Sequence, residues 1–143
     1  MKPLEIEYLV DAGPLVAIFN ADDNMHAWSV GALEILGHPL FTTEMVVAEV
    51  CYFLRKHLGK KSLAEFWGLI ESGRMQICAT LPDATTRIKA LMDKYGQMDV
   101  ADASLIVLSE RNPRARLITI DRRDFTVYRR NDGNPVPCIM PAQ

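Results

Sequence analysis

A three-layer α/β/α fold around a central, mostly parallel sheet is what this sequence predicts, and three features carry the expectation. Short apolar, β-branched runs recur along the chain, the clearest being Leu117-Ile118-Thr119-Ile120 and Ile6-Glu7-Tyr8-Leu9-Val10. Each of these two runs passes straight into an aspartate, Asp121 and Asp11. Segments with helical periodicity separate the runs, and strands alternating with helices make a parallel sheet covered on both faces. Ligands of such sheets gather outside the carboxyl ends of the strands, where both aspartates fall.

The elements follow in order. The first strand is expected over 6–10. Gly13-Pro14 then turns the chain into a short helix, with proline in a first turn where its missing N–H costs nothing. A polar loop over 20–24 precedes a helix from about His26 to Leu36, which Gly37 stops. Pro39 to Thr42 reads as a short strand, and Thr43 caps a helix over Glu44–Leu58. That helix is apolar almost all round from Met45 to Leu54, which predicts deep burial, with Glu49 its one internal charge. Ser62 and Glu65 form a capping box for a helix ending at Gly73. Met75 to Thr80 is a strand candidate. Asp83 caps a helix to about Tyr95 that sets Ile88, Leu91, Met92 and Tyr95 on one face. A nearly all-apolar helix follows Asp99 and Asp102 and stops at Asn112-Pro113. Arg116 leads into the Leu117 strand, and the Asp132-Gly133-Asn134 turn precedes an edge strand over Val136–Met140, limited by Pro135 and Pro137.

At 143 residues, with 49% hydrophobic and 24% charged residues, the chain is expected to form one domain, 1–143, with a proper core. No apolar run approaches the roughly 20 residues that span a bilayer, and the first five residues lack the apolar stretch of a signal peptide. Cys51, Cys78 and Cys138 are widely spaced and form no CxxC pair, which argues against a zinc site or a disulfide framework and suits a reducing cytoplasm. Net charge is −2, yet seven arginines stand between positions 111 and 130 (Arg111, Arg114, Arg116, Arg122, Arg123, Arg129, Arg130), opposed only by Asp121 and Asp124. They read either as a solvated charged face or as a phosphate-facing rim beside an acidic centre.

Four acids share one oddity. Asp11 and Asp121 end apolar strands, while Glu49 and Asp102 lie in or against apolar helices. A plain structural role exists for two of them: Glu49 paired with an arginine or on a narrow wet face, and Asp102 as a helix cap. If the first strand and the Leu117 strand are neighbours, all four converge. Clustered carboxylates raise one another's pKa and do not all stay ionised unaided. A hard divalent cation, Mg²⁺ or Mn²⁺, resolves the conflict through oxygen ligands. Such a centre, with arginines at its edge, suits phosphodiester hydrolysis.

At this point the sequence resembles the PIN-domain proteins, and among them the small ribonucleases that act as VapC-type toxins. The resemblance covers nearly the whole chain. It rests on Val10-Asp11-Ala12-Gly13-Pro14-Leu15-Val16-Ala17, on Asp22-Asp23 with His26, on Ala48-Glu49-Val50, on Asp102-Ala103-Ser104-Leu105 and on Thr119-Ile120-Asp121-Arg122-Arg123-Asp124-Phe125. It implies a PIN-like fold and a catalytic, metal-holding set of Asp11, Glu49, Asp102 and Asp121. It also implies Mg²⁺- or Mn²⁺-dependent cleavage of RNA, a homodimer, and inhibition by a cognate antitoxin. Such an antitoxin is expected on an apolar surface near the early helices, with Trp28, Phe66 and Trp67 as exposed aromatics, against the plainer reading of all three as core. One departure is Gly13, where many members carry Ser or Thr.

Thr119 keeps a hydroxyl able to orient the Asp121 carboxylate. Asp99 is a further ligand, a water-mediated partner or a solvated helix start, and Arg122 and Arg123 are candidate phosphate contacts. A phosphatase with an aspartyl nucleophile is disfavoured, because its second aspartate would stand where Gly13 does. A catalytically inactive PIN-like RNA-binding or scaffolding module is the alternative from another class.

Overall fold

The computed structural model describes residues 5–35 and 37–143. Strands β1 (Tyr8–Val10), β2 (Leu40–Thr43), β3 (Met75–Cys78), β4 (Arg116–Ile118) and β5 (Cys138–Ile139) form one sheet in the order β3-β2-β1-β4-β5. Every neighbouring pair is parallel, with Leu9 opposite Phe41 and Leu117, and Ile118 opposite Ile139. Seven helices among the described residues surround it: α1 (Ala12–Ala17), α2 (His26–Ile35), α3 (Glu44–His57), α4 (Lys60–Glu71), α5 (Leu81–Lys94), α6 (Val100–Arg111) and α7 (Arg122–Phe125). This is the three-layer arrangement expected. The chain moves outward one way from β1 through β2 and β3, then crosses to β4 on the other side. The switch point between β1 and β4 thus places Asp11 and Asp121 side by side.

The core is the sheet and what covers it. Leu9, Val10, Leu117 and Ile118 are fully buried, as are Leu15 of α1, Val46, Val50 and Leu54 of α3, and Leu105 and Ile106 of α6. Strand β1 reads as an unbroken apolar run because both of its faces are covered. The expected edge strand narrows to β5, the two residues that follow Pro137. No described helix is long and apolar enough to cross a membrane.

Helix α3 departs from its expected burial. It hides only the face carrying Val46, Val47, Val50 and Leu54, and leaves Tyr52 65% and Phe53 40% exposed. It packs on α1, α4 and α6 from one side, and its other side, Glu49 included, is open to water. Helix α4 starts at Lys60, a turn's half before the Ser62–Glu65 pair, because Gly59 takes φ 99° and donates its N–H to the Leu54 carbonyl. That left-handed turn ends α3 and begins α4 at once. Helix α5 starts at Leu81, two residues before Asp83, and kinks at Ala84. There Glu44 receives the backbone N–H and hydroxyl of Thr80 at 2.7 and 2.6 Å, tying the end of β3 to the start of α3. Ile88 and Leu91 are buried as expected, but Met92 of the same helix is exposed.

Candidate active site

The ends of the strands are wired together by short polar side chains. Asp11 follows β1 and caps α1, its Oδ1 accepting the Ala12 N–H at 2.8 Å. The Thr119 hydroxyl donates to Asp11 Oδ2 at 2.7 Å and accepts the Asp121 N–H at 3.0 Å. Thr119 therefore orients the carboxylate of Asp11, across the switch point, and not that of Asp121. It reaches Asp11 because β1 and β4 pair in register and Asp11 donates its own N–H to the Ile118 carbonyl. Asp121 in turn caps α7 by accepting the Asp124 N–H at 3.1 Å. Behind them, Thr43 at the end of β2 caps α3 and shares a 2.6 Å hydrogen bond with Ser104, which fixes α6 beside the sheet.

Asp99 settles the question of the α6 cap. Its Oδ1 accepts the Asp102 N–H at 2.8 Å, so the capping role belongs to Asp99 and the Asp102 carboxylate is released from it. Asp102 instead accepts the Tyr128 hydroxyl at Oδ2, 2.9 Å away. Tyr128 is fully buried and meets the rings of Tyr95 and Phe125 edge-on at 5.1 and 5.3 Å, so its hydroxyl is held by a packed aromatic group.

One oxygen each of Asp102, Asp121 and Asp124 lies within 4.8 Å of the others. Burial and neighbouring carboxylates drive these groups toward the protonated form. Asp11, only 8% exposed, is pushed up to about 6 by burial first and then by Asp121 and Asp99, against the lowering effect of Thr119 and Ala12. Burial, then Asp99 and Asp11, push Asp102 up to about 8. Asp121 is raised by burial, with Arg123 the cation that pulls it back. Glu49 is pushed up to about 7 by burial of its inner atoms and by Asp99 and Asp11 across the opening, although its outer surface is open to water. Crowded carboxylates that raise one another's pKa are what a hard divalent cation relieves, and the cluster of Asp102, Asp121 and Asp124 contains no thiol or imidazole.

Of the expected site residues, Asp102 and Asp121 meet within one cluster, Asp11 adjoins them through Thr119, and Glu49 approaches from α3. Asp124 was not among them; its signal was its place three residues after Asp121, the spacing that puts two side chains on one helix face. Gly13 has a local cause. A Cβ there would come within 2.8 Å of Ile120 Cγ1 and 3.0 Å of its Cδ1, so Ile120 fills the space that a hydroxyl side chain would need.

The arginine rim is largely absent. Arg130 is buried and donates to the Pro113 carbonyl at 2.9 Å and the Ser109 hydroxyl at 3.2 Å. Arg116 stacks over the Tyr8 ring at 5.3 Å, Arg111 donates to the Ala79 carbonyl, and Arg129 to the carbonyls of Thr126 and Tyr128. Arg122 donates to the Pro141 carbonyl at 2.7 Å, leaving exposed Arg123 as the cation beside Asp121. His26 bonds the Ala17 carbonyl through its ring at 2.7 Å, a loop contact. Phe66 is buried, Trp28 packs against the core, and Trp67 is 44% exposed.

Comparison with known proteins agrees with this geometry. The chain is 24% identical to the ribonuclease VapC26 of Mycobacterium tuberculosis over 123 residues, 85% of this chain and 91% of that protein. Its fold matches the crystal structure of M. tuberculosis VapC20, a sarcin-ricin loop cleaving toxin, with a TM-score of 0.71 at 14% identity, over 78% of this chain and 87% of that one. It also matches a toxin–antitoxin complex from Klebsiella pneumoniae, with a TM-score of 0.68 at 19% identity, over 96% and 99% of the two chains. The PIN domain family model aligns with residues 8–131, from the first residue of β1 to the turn beyond Tyr128, and thus takes in every acid gathered at the switch point: the chain belongs to the PIN domain family.

Proposed function

We propose that this chain is a metal-dependent endoribonuclease, using Mg²⁺ or Mn²⁺, and the toxin of a toxin–antitoxin pair. The observation that carries the reading is the convergence of Asp11, Asp102, Asp121 and Asp124 beside the carboxyl ends of two adjacent parallel strands, with hydrogen bonds holding the carboxylates of Asp11, Asp102 and Asp121. The ribonuclease and toxin names of its relatives point the same way.

The donor set fits a hard cation held by Asp102, Asp121 and Asp124, with Asp11 beside them and Glu49 facing them from α3. A divalent ion, when bound, polarises the phosphate and lowers the pKa of water. The chain's own part is positioning. Thr119 and the Ala12 N–H fix both oxygens of Asp11, and Tyr128 fixes one oxygen of Asp102, leaving the other free. Arg123 places one positive charge beside Asp121, where a phosphate arrives. An antitoxin partner has a fitting surface in the mostly apolar groove beside α1, α2 and α4, lined by Leu15, Ile18, Val30, Leu33, Leu40, Leu69 and Met75 together with the charged Glu34 and Arg74. The toxin–antitoxin complexes among its structural neighbours support that partner.

Cleavage of total cellular RNA tests the proposal, with Mg²⁺ or Mn²⁺, with EDTA, and with Asp11→Asn and Asp121→Asn. Asn keeps the shape and removes the charge. Discrete metal-dependent products are expected from the native chain, reduced at least ~100-fold in both variants, beyond the loss that outer hydrogen-bond partners usually cause. Identical behaviour of native and variant chains would leave an inactive RNA-binding or scaffolding module as the better description.

A further inference from the structure

A run of exposed cations lies along α3 and the start of α4, across the opening from Asp11. Helical spacing puts Glu49, Tyr52, Phe53 and Lys56 of α3 on one face. Tyr52 and Phe53 are the exposed aromatics of that face. Lys56 Nζ donates to the Tyr52 hydroxyl at 3.2 Å and stands 5.5 Å from the centroid of its ring, while the Phe53 ring lies 4.4 Å from that of His57. Arg55, Lys60 and Lys61 flank the stripe, all exposed, and no acid occurs from Val50 to Ala64. Among the described residues, none of Arg55, Lys56, Lys60 and Lys61 makes a salt bridge.

We propose that this ridge, running from Glu49 along Tyr52, Phe53 and Lys56 to Lys60 and Lys61, binds unpaired nucleotides of RNA beside the acidic centre. The inference rests on the ribonuclease reading and adds where the substrate lies. Tyr52 and Phe53 stay exposed although Lys56 and His57 stand against their rings, and exposed aromatic rings stack on bases, while flexible lysines follow a phosphate backbone without reading sequence. A paired strand keeps its base faces covered, so the ridge selects single-stranded segments. Its charge also disfavours a second copy of this chain as occupant, because two such faces would bring like charges together.

The test is fluorescence anisotropy of a labelled single-stranded oligoribonucleotide and of its duplex, bound to the full chain in EDTA so that nothing is cut. Tyr52→Ala/Phe53→Ala is expected to weaken single-strand binding about tenfold or more, with the salt slope unchanged. Lys56→Gln/Lys60→Gln/Lys61→Gln is expected to lower that slope by about 2. Tyr52→Phe retains binding, since the ring and not the hydroxyl stacks, and melting curves of all variants match the native chain because these side chains are exposed. Single-strand binding by Tyr52→Ala/Phe53→Ala equal to the native chain overturns the proposal. So does a fall in oligomeric mass with RNA binding intact, which assigns the ridge to contacts between copies. If the native chain neither binds RNA nor cuts it with Mn²⁺, the ribonuclease reading itself fails and takes this inference with it. If the native chain cuts RNA and Tyr52→Ala/Phe53→Ala cuts it with an unchanged KM, only the ridge fails.

Discussion

The two sides of the acidic opening are built on opposite plans. On the sheet side, Asp11 is buried and both of its oxygens accept hydrogen bonds, Asp102 is gripped by a buried tyrosine, and Asp121 caps a helix. On the α3 side, Glu49 is exposed and, among the described residues, its carboxylate accepts no hydrogen bond. The first side is set before any ion or substrate arrives, since its geometry is fixed by strand pairing and by helix caps. The second is a long side chain on a helix face that nothing covers. The difference separates acids whose positions the fold fixes from one that is free to move, although all face one opening.

The contrast predicts an order in metal affinity, measured by calorimetric titration with Mn²⁺. Asp102→Asn is expected to cause the greatest loss, above ~100-fold. Tyr128→Phe follows at about 10- to 100-fold, the usual cost of removing a partner that orients a ligand. Glu49→Gln comes last, below ~10-fold, because an unanchored carboxylate contributes little preorganisation. A loss with Glu49→Gln equal to that with Asp102→Asn would break the comparison, for it would put the adaptable side on the same footing as the fixed one.

The sheet side should also betray itself without metal. Asp11 and Asp102 sit at about 6 and about 8 in the fold, against an ordinary carboxyl near ~4. Between those limits the folded chain holds protons that the unfolded chain has released, so stability from these groups is full below pH ~4 and is lost as pH rises through ~6 and ~8. Glu49 shifts in the same direction but counts for less, since water screens an exposed group. The metal-free chain is therefore expected to melt several degrees lower near pH 8 than near pH 5, and Mn²⁺ to restore the difference by stabilising the ionised carboxylates. Asp11→Asn should flatten the profile. A melting temperature that rises over this range would contradict the repulsion inferred from the geometry.

Much of the sheet side was legible in the sequence. A parallel strand buried on both faces reads as a β-branched run, and an aspartate directly after it has few places to go but the carboxyl edge of the sheet. The α3 side was not legible. Met45 to Leu54 is apolar enough to suggest burial all round, and composition carries no record of whether a second layer covers Tyr52 and Phe53. The arginines misled for a related reason. Seven of them in twenty positions look like a phosphate rim, but Arg130 is spent on carbonyls of its own fold and Arg116 on Tyr8, contacts between segments far apart in sequence. The sparser lysines of α3 and α4 remain available: among the described residues they make no salt bridge, although Glu65 stands one turn from Lys61. Asp124 and the capping role of Asp99 lay within reach of spacing rules, since each stands three residues from an acid that spacing had already singled out.

The smallest expected effect concerns how tightly the sheet side is packed from behind. Gly13 follows Asp11 by two residues, and its missing Cβ is replaced by the Ile120 side chain, which itself precedes Asp121. Gly13→Ser forces Ile120 to move and is expected to destabilise the chain by about 1–3 kcal/mol, the usual cost of overpacking a filled site. Ile120→Ala opens the space at a cost of its own. If the two positions share one volume, Gly13→Ser/Ile120→Ala should be less destabilised than the sum of the single variants by about 1 kcal/mol, read from urea unfolding. Additive losses would mean that Ile120 yields without strain. The departure at Gly13 would then be free of structural cause, and the rigidity ascribed to the sheet side would rest on Thr119 and Tyr128 alone.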